Sequence, residues 1–235
     1  MKYFITGKGG FIGRNIVKYV GEVNVVNQFE NGCAVIHLSA YGNHHFQTDV
    51  EKIIQANITD LIHLVNEAFI FNVSKFYNFS TSSVTLPVQT MYSASKLFGE
   101  TLINSINDER FVNIRPYSVY GIGEAEHRFI PTVIRHLYSG EKMQLDPLPK
   151  HDWIFCDDFI QAMFLGHKYI GTGLGYSNLQ IVEMLQDISG KKLNYEEKKL
   201  RVYDNFNWVC KQGVPHRFIY EGLKKTYESF RKKDC

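Results

Sequence analysis

Apolar and polar positions follow two repeating patterns along the first half of the chain. Short runs of β-branched and aromatic residues are typical of buried strands, and longer stretches with apolar residues three and four apart are typical of helices. The predicted strands are 2–6, 23–29, 33–40, 75–80 and 111–116. The predicted helices are 11–20, 49–71 and 92–106. Strands that alternate with helices predict parallel crossovers, and therefore an α/β protein with a doubly wound parallel sheet.

The pattern becomes looser after about residue 117, where short strands and helices predict a smaller lobe. We therefore expect one domain over residues 1–116, completed by parts of 117–170. The small lobe is expected over about 117–235, interleaved with the first domain.

The composition narrows the class of protein and its partners. The 235 residues are 44% hydrophobic and 21% charged, as in an ordinary soluble globular protein, and the net charge of +2 does not favour nucleic acid or a membrane as partner. Met1 leads straight into a predicted strand, so we expect no cleavable leader; no apolar run is long enough to span a bilayer, and we therefore expect a cytoplasmic protein. Its four cysteines form no C-x-x-C pair, which predicts free thiols and no metal site.

A glycine-rich turn, TGKGGFIG, lies between the first predicted strand and the first predicted helix. Gly7, Gly10 and Gly13 stand three residues apart. Such a turn needs glycines because it is tight, because its backbone approaches a pyrophosphate, and because the helix packs close to the sheet. The helix N-terminus presents N–H donors to the same anion. The turn predicts a site for a dinucleotide, which we expect to be NAD or NADP.

One position near the end of the second predicted strand bears on the choice between NAD and NADP. An acidic residue there usually bonds the adenosine ribose, but in this chain the matching position is Asn27. Asparagine has no charge to repel a 2′-phosphate, which leaves NADP open and favours it slightly. Lys8 and Arg14 are possible phosphate contacts, although both could equally be solvated surface residues.

The segment MYSASKLFGE places Tyr92 four residues before Lys96 in a predicted helix. Residues four apart share one helix face. An ammonium near a phenol favours the phenolate, which lets a tyrosine exchange a proton near neutral pH. The alternative is that Tyr92 only packs and Lys96 is solvated.

The segments TGKGGFIG, VIHLSA, STSSV, YSASK and HDWIFCDD, in this order, resemble the extended short-chain dehydrogenases/reductases. This group contains nucleotide-sugar epimerases, dehydratases and reductases, and the resemblance covers nearly the whole chain. It implies a Rossmann-type domain with a small C-terminal substrate lobe. It also implies a nucleotide-sugar substrate, and a homodimer formed through the helices near 49–71 and 92–106.

The resemblance assigns roles to individual residues. Tyr92 matches the general acid/base, Lys96 matches the lysine that holds the nicotinamide ribose, and Thr81 matches a hydroxyl that bonds the substrate oxygen. Ser82 and Ser83 are expected beside the substrate. His37 is read as a core histidine and Asn57 as a structural asparagine. The expected cofactor-binding residues are Gly7, Gly10, Phe11, Ile12, Gly13, Asn27, Leu38, Ser39, Ala40 and Lys96.

In the second half, the resemblance implies nucleotide contacts. Arg201, followed by Asp204, resembles the arginine that binds the pyrophosphate. His151 stands where many relatives have another phosphate-binding arginine. Residues 129–131 resemble the segment that passes near the base.

The chain also departs from the pattern. Few residues separate the second strand from VIHLSA, where relatives fit a further helix and strand, so we expect a reduced adenine side. Ser82 and Ser83 occupy the positions of the carboxylic pair that 4,6-dehydratases need, which argues against dehydration. The expected activity is reduction of a nucleotide-linked 4-keto sugar. The alternatives are a 4-epimerase with tightly bound NAD and a non-catalytic NAD(P)-binding protein.

Overall fold

The structure, a computed structural model, describes residues 1–44, 46–199 and 208–231. These residues divide into two compact units. The first unit holds Met1–Pro116 with Gly166–Lys168, and the second holds Tyr117–Leu165 with the described residues from Tyr169 onward.

The first unit alternates strands and helices. Its strands are β1 (Tyr3–Thr6), β2 (Val25–Val26), β3 (Ala34–His37), β4 (Lys75–Phe79) and β5 (Phe111–Pro116). Its α-helices are α1 (Phe11–Val20), α2 (Val50–Ile54), α3 (Asp60–Ile70) and α4 (Met91–Ile106). Short 3₁₀ turns cover Glu22–Asn24 and Ser82–Thr85.

The strands of the first unit lie in the order β2-β1-β3-β4-β5, and the paired strands run parallel. All four residues of β3 are buried, as expected for a central strand that is covered on both faces. The predicted α/β class with a doubly wound parallel sheet is therefore confirmed. Because the strands are parallel, their carboxyl ends lie along one edge of the sheet, where α/β proteins place their ligands.

One face of this sheet is covered by apolar side chains of α3 and α4. Leu61, Val65 and Ala68 recur at helical spacing on α3, and they pack with Phe76 of β4 and Ile103 of α4. This cluster fixes α4 across β4: a Cβ on Gly99 of α4 would lie 3.0 Å from Cδ2 of Leu61 and 3.4 Å from the side-chain Nδ2 of Asn78.

Two elements differ from the sequence prediction. The second strand, predicted over 23–29, is limited to Val25–Val26, because β2 is hydrogen-bonded only to β1 among the described strands and a 3₁₀ turn precedes it. The helix predicted over 49–71 is interrupted by a π-helical turn, Gln55–Thr59, which separates α2 from α3. This turn contains Asn57, a buried polar residue.

The second unit is built around its own apolar core. Its strands are β6 (Ser118–Tyr120), β7 (Met143–Leu145), β8 (Lys150–Phe155), β9 (Tyr169–Ile170), β10 (Gly175–Ser177) and β11 (Tyr195–Glu197). Its helices are α5 (Phe129–Ser139), α6 (Cys156–Phe164), α7 (Asn178–Ser189) and α8 (Ile219–Arg231). The strands form the arrays β10-β8-β6 and β11-β7. Apolar residues of α5, α7 and α8 pack on the aromatic side chains of β6 and β8.

Candidate active site

The turn after β1 is shaped by its glycines. The amide of Gly10 donates to the carbonyl of Gly7 (2.9 Å), and Gly7 has a φ of +69°, which favours glycine. A Cβ on Gly7 would lie 2.9 Å from the amide nitrogen of Ser39, and a Cβ on Gly13 would lie 2.8 Å from the Cα of Lys8. The backbone segments are therefore packed as closely as a pyrophosphate-binding turn requires.

Helix α1 begins directly after this turn, with Gly10 as its N-cap. Among the described residues, no side chain caps the helix and no acidic residue lies in its first turn. Its first amides are therefore available to an anion, and the helix dipole favours one there. Phe11 and Ile12, both half-buried, form the start of this helix.

The loop after β3 lies beside the glycine turn. The amide of Leu38 donates to the Thr6 carbonyl (3.3 Å), and the amide of Ser39 donates to the Thr6 hydroxyl (3.3 Å). Ala40, the next residue, is exposed. The third strand, predicted over 33–40, therefore ends at His37, because residues 38–40 leave the sheet to form this loop.

His37 lies at the end of β3 and is only 1% exposed. Its Nδ1 is 2.8 Å from the Thr6 hydroxyl. Burial, together with the positive charge of Lys96, lowers the pKa of His37 to about 3, so the imidazole is neutral at physiological pH. Its burial and its hydrogen bond to Thr6 are those of a core histidine.

Helix α4 presents Tyr92 and Lys96 one turn apart on one face. The helix begins with a capping box: the amide of Ser93 donates to the Thr90 hydroxyl (3.1 Å), and the amide of Thr90 donates to the Ser93 hydroxyl (2.8 Å). Tyr92 is half-buried, whereas Lys96 is buried at 4% exposure. Tyr92 is the second residue of the helix, so the cap sets its position.

The ammonium of Lys96 is electrostatically unusual. Burial lowers its pKa to about 8, although the carboxylate of Glu100, one turn further along α4, opposes that shift. Glu100 also accepts a hydrogen bond from Arg115 Nε (2.9 Å) in a partly buried ion pair. No described residue accepts a hydrogen bond from Lys96 Nζ. A buried ammonium of this kind is a group from which a functional site can be inferred.

Asn57 joins α4 to the loop that follows β3. Its side chain accepts from the amide of Tyr41 (2.9 Å) and donates to the Tyr41 carbonyl (2.8 Å) and the Ser95 hydroxyl (2.8 Å). Ser95 in turn donates to the carbonyl of Tyr92 (2.8 Å). The π-helical turn lets this buried polar side chain reach all three partners. Sequence reasoning missed Ser95, because a serine within a helix carries no signal of such a role.

Thr81 lies just beyond β4 and is the N-cap of the 3₁₀ turn Ser82–Thr85. Its hydroxyl oxygen accepts from the amide of Ser83 (3.2 Å) and lies 3.1 Å from the Ser83 hydroxyl. The turn packs against α4. The hydroxyl therefore helps to form the turn, and the turn keeps it at the edge of the sheet beside the helix that bears Tyr92.

Asn27 follows β2 directly and is exposed. Its side-chain oxygen accepts a hydrogen bond from Lys8 Nζ (2.7 Å). Arg14 donates through Nη1 to the carbonyl of Gly9 (2.5 Å). Both cations are thus held at the glycine turn, and Lys8 extends from the turn to the end of β2.

The residues expected to bind the nucleotide lie in the second unit or outside the described part of the chain. His151 lies in β8, with its ring against Trp153 and Trp208. The segment expected near the base opens α5, where Ile130 and Pro131 are buried. Arg201 and Asp204 lie outside the described residues.

The structure thus brings the glycine turn, the loop after β3 and Asn27 together at the carboxyl edge of the first unit's sheet. It also sets Thr81 in a turn that packs on α4. Within the described residues, no group of three or more histidine, cysteine, aspartate or glutamate side chains is arranged to hold a metal ion. No helix of those residues is long and apolar enough to cross a membrane.

A parallel α/β sheet with a glycine turn after β1, and a tyrosine–lysine pair on the helix after β4, define a dinucleotide-dependent enzyme of the short-chain dehydrogenase/reductase type. The chain belongs to the NAD dependent epimerase/dehydratase family, whose sequence model matches residues 22–175. The predictions of this family, of an enzyme and of NAD or NADP as cofactor are confirmed. The tight glycine turn and the uncapped start of α1 fit such a cofactor.

Individual proteins are similar at low identity. GDP-6-deoxy-D-talose 4-dehydrogenase from Aggregatibacter actinomycetemcomitans is 25% identical over 86% of this chain and 85% of its own length. CDP-abequose synthase from Salmonella typhimurium is 21% identical over 78% of this chain and 79% of its own. The structure of MoeE5 in complex with UDP-glucose and NAD superposes with a TM-score of 0.86, covering 100% of both chains at 19% identity. The chain is thus similar to enzymes of nucleotide-sugar chemistry.

Proposed function

We propose that this protein is an NAD(P)-dependent oxidoreductase that reduces the 4-keto group of a nucleotide-linked 4-keto sugar. The observation that carries the proposal is the buried ammonium of Lys96, one helical turn from Tyr92 and on the unit that holds the glycine turn. The similar proteins include an enzyme named as a 4-dehydrogenase of a nucleotide-linked 6-deoxy sugar.

The residues of this chain would act as follows. The cofactor, when bound, supplies the hydride to the sugar carbon. Tyr92 donates its phenolic proton to the carbonyl oxygen as that oxygen gains charge. The Thr81 hydroxyl, whose oxygen already accepts from Ser83, donates a second hydrogen bond to the same oxygen. Lys96 stabilises the phenolate that remains, and its free hydrogen-bond donors suit the hydroxyls of a ribose.

Two further features support reduction. Ser82 and Ser83, which open the turn after Thr81, have no carboxyl group, so the turn lacks the acid/base pair that elimination of water needs. Residues 27–33, between β2 and β3, form a short loop without a helix, which leaves little protein to retain the adenosine half of a cofactor. Weak retention suits a cofactor that exchanges at each turnover rather than a permanently bound one.

Other assignments belong to the same proposal. The second unit is the substrate-binding lobe, and His151 and Arg201 contact the nucleotide. The protein acts in the cytoplasm as a homodimer whose partner is a second copy, because α2, α3 and α4 expose apolar side chains of the kind that a helix bundle covers. These include Ile54, Ile62, Phe69, Leu97 and Phe98. Light scattering after gel filtration gives the mass that checks the dimer.

The test uses the purified full chain. We expect NADPH or NADH fluorescence to increase on binding, and a nucleotide 4-keto-6-deoxy sugar to cause oxidation of the bound nicotinamide. Tyr92→Phe should lower turnover by about 10²–10⁴-fold and keep cofactor binding, because only the proton donor is removed. Tyr19→Phe, in the last turn of α1, is the matched control and should keep full activity.

Three results would each contradict a different part of the proposed function. Near-normal turnover in Tyr92→Phe removes Tyr92 from the mechanism. NAD that survives gel filtration, with conversion of a nucleotide-hexose without added cofactor, identifies a 4-epimerase instead. Cofactor binding with no turnover across a broad nucleotide-sugar panel identifies a non-catalytic binding protein.

A further inference from the structure

The end of β2 carries no negative charge at the position that selects NAD. In dinucleotide-binding sheets, an acidic side chain there bonds the 2′-hydroxyl of the adenosine ribose, and the same carboxylate repels a 2′-phosphate. Asn27 occupies this position, since it follows β2 directly and β2 pairs with β1 through Phe4 and Val26. Its amide can bond either group and repels neither.

A cation is held at the same point. Lys8, the residue after Gly7 in the glycine turn, donates from Nζ to Asn27 Oδ1 at 2.7 Å. An ammonium has three donors, so two remain for a ligand. Among the described residues, no carboxylate forms an ion pair with Lys8, so its charge is not neutralised there. Arg14, anchored to the Gly9 carbonyl, adds a second positive charge at the turn.

The rest of the adenosine side offers little surface. The chain after Asn27 turns back at once: the Gly32 amide donates to the Phe71 carbonyl (3.1 Å), and the ring of Phe29 packs on Phe4, 4.6 Å between centroids. With β3 beginning at Ala34, this loop has no helix that could cover an adenine ring. Charge at the ribose is therefore the main means by which this side of the site can hold a cofactor.

We propose that Lys8, positioned by Asn27, binds the 2′-phosphate of NADP(H) and makes the protein selective for NADPH over NADH. This inference rests on the proposed function, because it concerns the cofactor of the same site. Asn27 acts as a positioning residue, since its oxygen holds the ammonium without neutralising it.

The experiment measures dissociation constants, not activity. NADPH and NADH are titrated by nicotinamide fluorescence against the wild type, Lys8→Met, Asn27→Asp and the control Lys18→Met, which changes an exposed lysine at the far end of α1. We expect the wild type to prefer NADPH by about 10- to 100-fold, the range of one charge-assisted hydrogen bond. That preference should fall as ionic strength rises.

The variants separate the contributions of Lys8 and Asn27 to cofactor binding. Lys8→Met should weaken NADPH binding by about tenfold or more and leave NADH binding unchanged, because NADH has no 2′-phosphate. Asn27→Asp should reverse the preference, because its carboxylate pairs with Lys8 and repels the phosphate. Lys18→Met should match the wild type. Adenosine 2′,5′-bisphosphate should displace NADPH better than ADP does, and Lys8→Met should remove this difference.

Equal binding of NADH and NADPH by the wild type, or an equal loss of both in Lys8→Met, overturns the inference and leaves the proposed function intact. If neither NADH nor NADPH binds, both the inference and the proposed function are overturned. Selective binding of NADPH without turnover of any 4-keto sugar supports the inference and counts against the proposed reaction.

Discussion

The buried ammonium of Lys96 should destabilise the fold that it serves. Its surroundings disfavour the charged form, as shown by a pKa of about 8 in place of the usual 10.5. Lys96→Met keeps an unbranched side chain of similar length and removes the charge. We therefore expect this variant to lose activity and, without cofactor, to be more stable than the wild type.

The magnitude follows from the shift of the pKa. A shift of about 2.5 units corresponds to roughly 3 kcal/mol, because each unit is worth about 1.4 kcal/mol. The unfolded chain binds the Lys96 proton more tightly than the folded chain, so stability rises with pH between about 8 and 10.5. The penalty on the wild type is therefore complete below pH 8 and disappears as the pH approaches 10.5.

The assay is urea unfolding of wild type and Lys96→Met from pH 7 to pH 10.5, without cofactor. We expect an advantage of about 3 kcal/mol for the variant at pH 7, which declines toward zero at the alkaline end. Other groups that titrate in this range cancel in the difference between the two proteins. Lys18→Met, at an exposed position, should change stability by less than about 0.5 kcal/mol. An advantage that does not change with pH, or a less stable variant at pH 7, would refute the reasoning.

Two further predictions concern the glycine turn and the second unit. Gly13→Ala should weaken NADPH binding by more than about tenfold, because its Cβ would clash with the Gly7 carbonyl. The control Gly9→Ala should bind NADPH normally, because a Cβ there meets nothing within 4 Å. Equal NADPH binding by the two variants would contradict the packing of the glycine turn. Glu124 is buried near Arg128, and burial raises its pKa to about 7. The folded chain therefore holds the Glu124 proton more tightly than the unfolded chain does. As a result, stability should fall as the pH rises from about 4.5 to 7. Glu124→Gln should therefore be more stable by about 3 kcal/mol at pH 8 and equal to wild type at pH 4 in thermal or urea unfolding; a gain that is the same at both pH values would count against this assignment.

Much of the first unit could be predicted because each element is specified locally. The apolar run of β3 and the glycines before α1 carry their signals within a few residues. The length of β2 could not be predicted in this way, since it depends on how far this edge strand stays paired with β1, and that is set by tertiary structure. The π-helical turn at Asn57 could not be predicted either, because helical periodicity continues on both sides of it.

In the candidate site, too, some features are specified locally in the sequence and others depend on tertiary structure. Tyr92 and Lys96 are assigned from their spacing and from the order of five motifs. Their surroundings depend on residues distant in sequence: Thr6 bonds His37, and Asn57 connects Tyr41 with Ser95. Such contacts require the folded chain. The hydrogen bond between Lys8 and Asn27 likewise has no sequence signature beyond two polar residues nineteen positions apart.

The capping box at the start of α4 bears on how this protein can evolve. Thr90 and Ser93 satisfy each other's backbone amides, so the helix has the same first turn whatever precedes it. Insertions or deletions within residues 86–89 would therefore reshape the surface ahead of the helix without sliding Tyr92 along its axis. Substrate preference can diverge through that segment while the phenol stays in register.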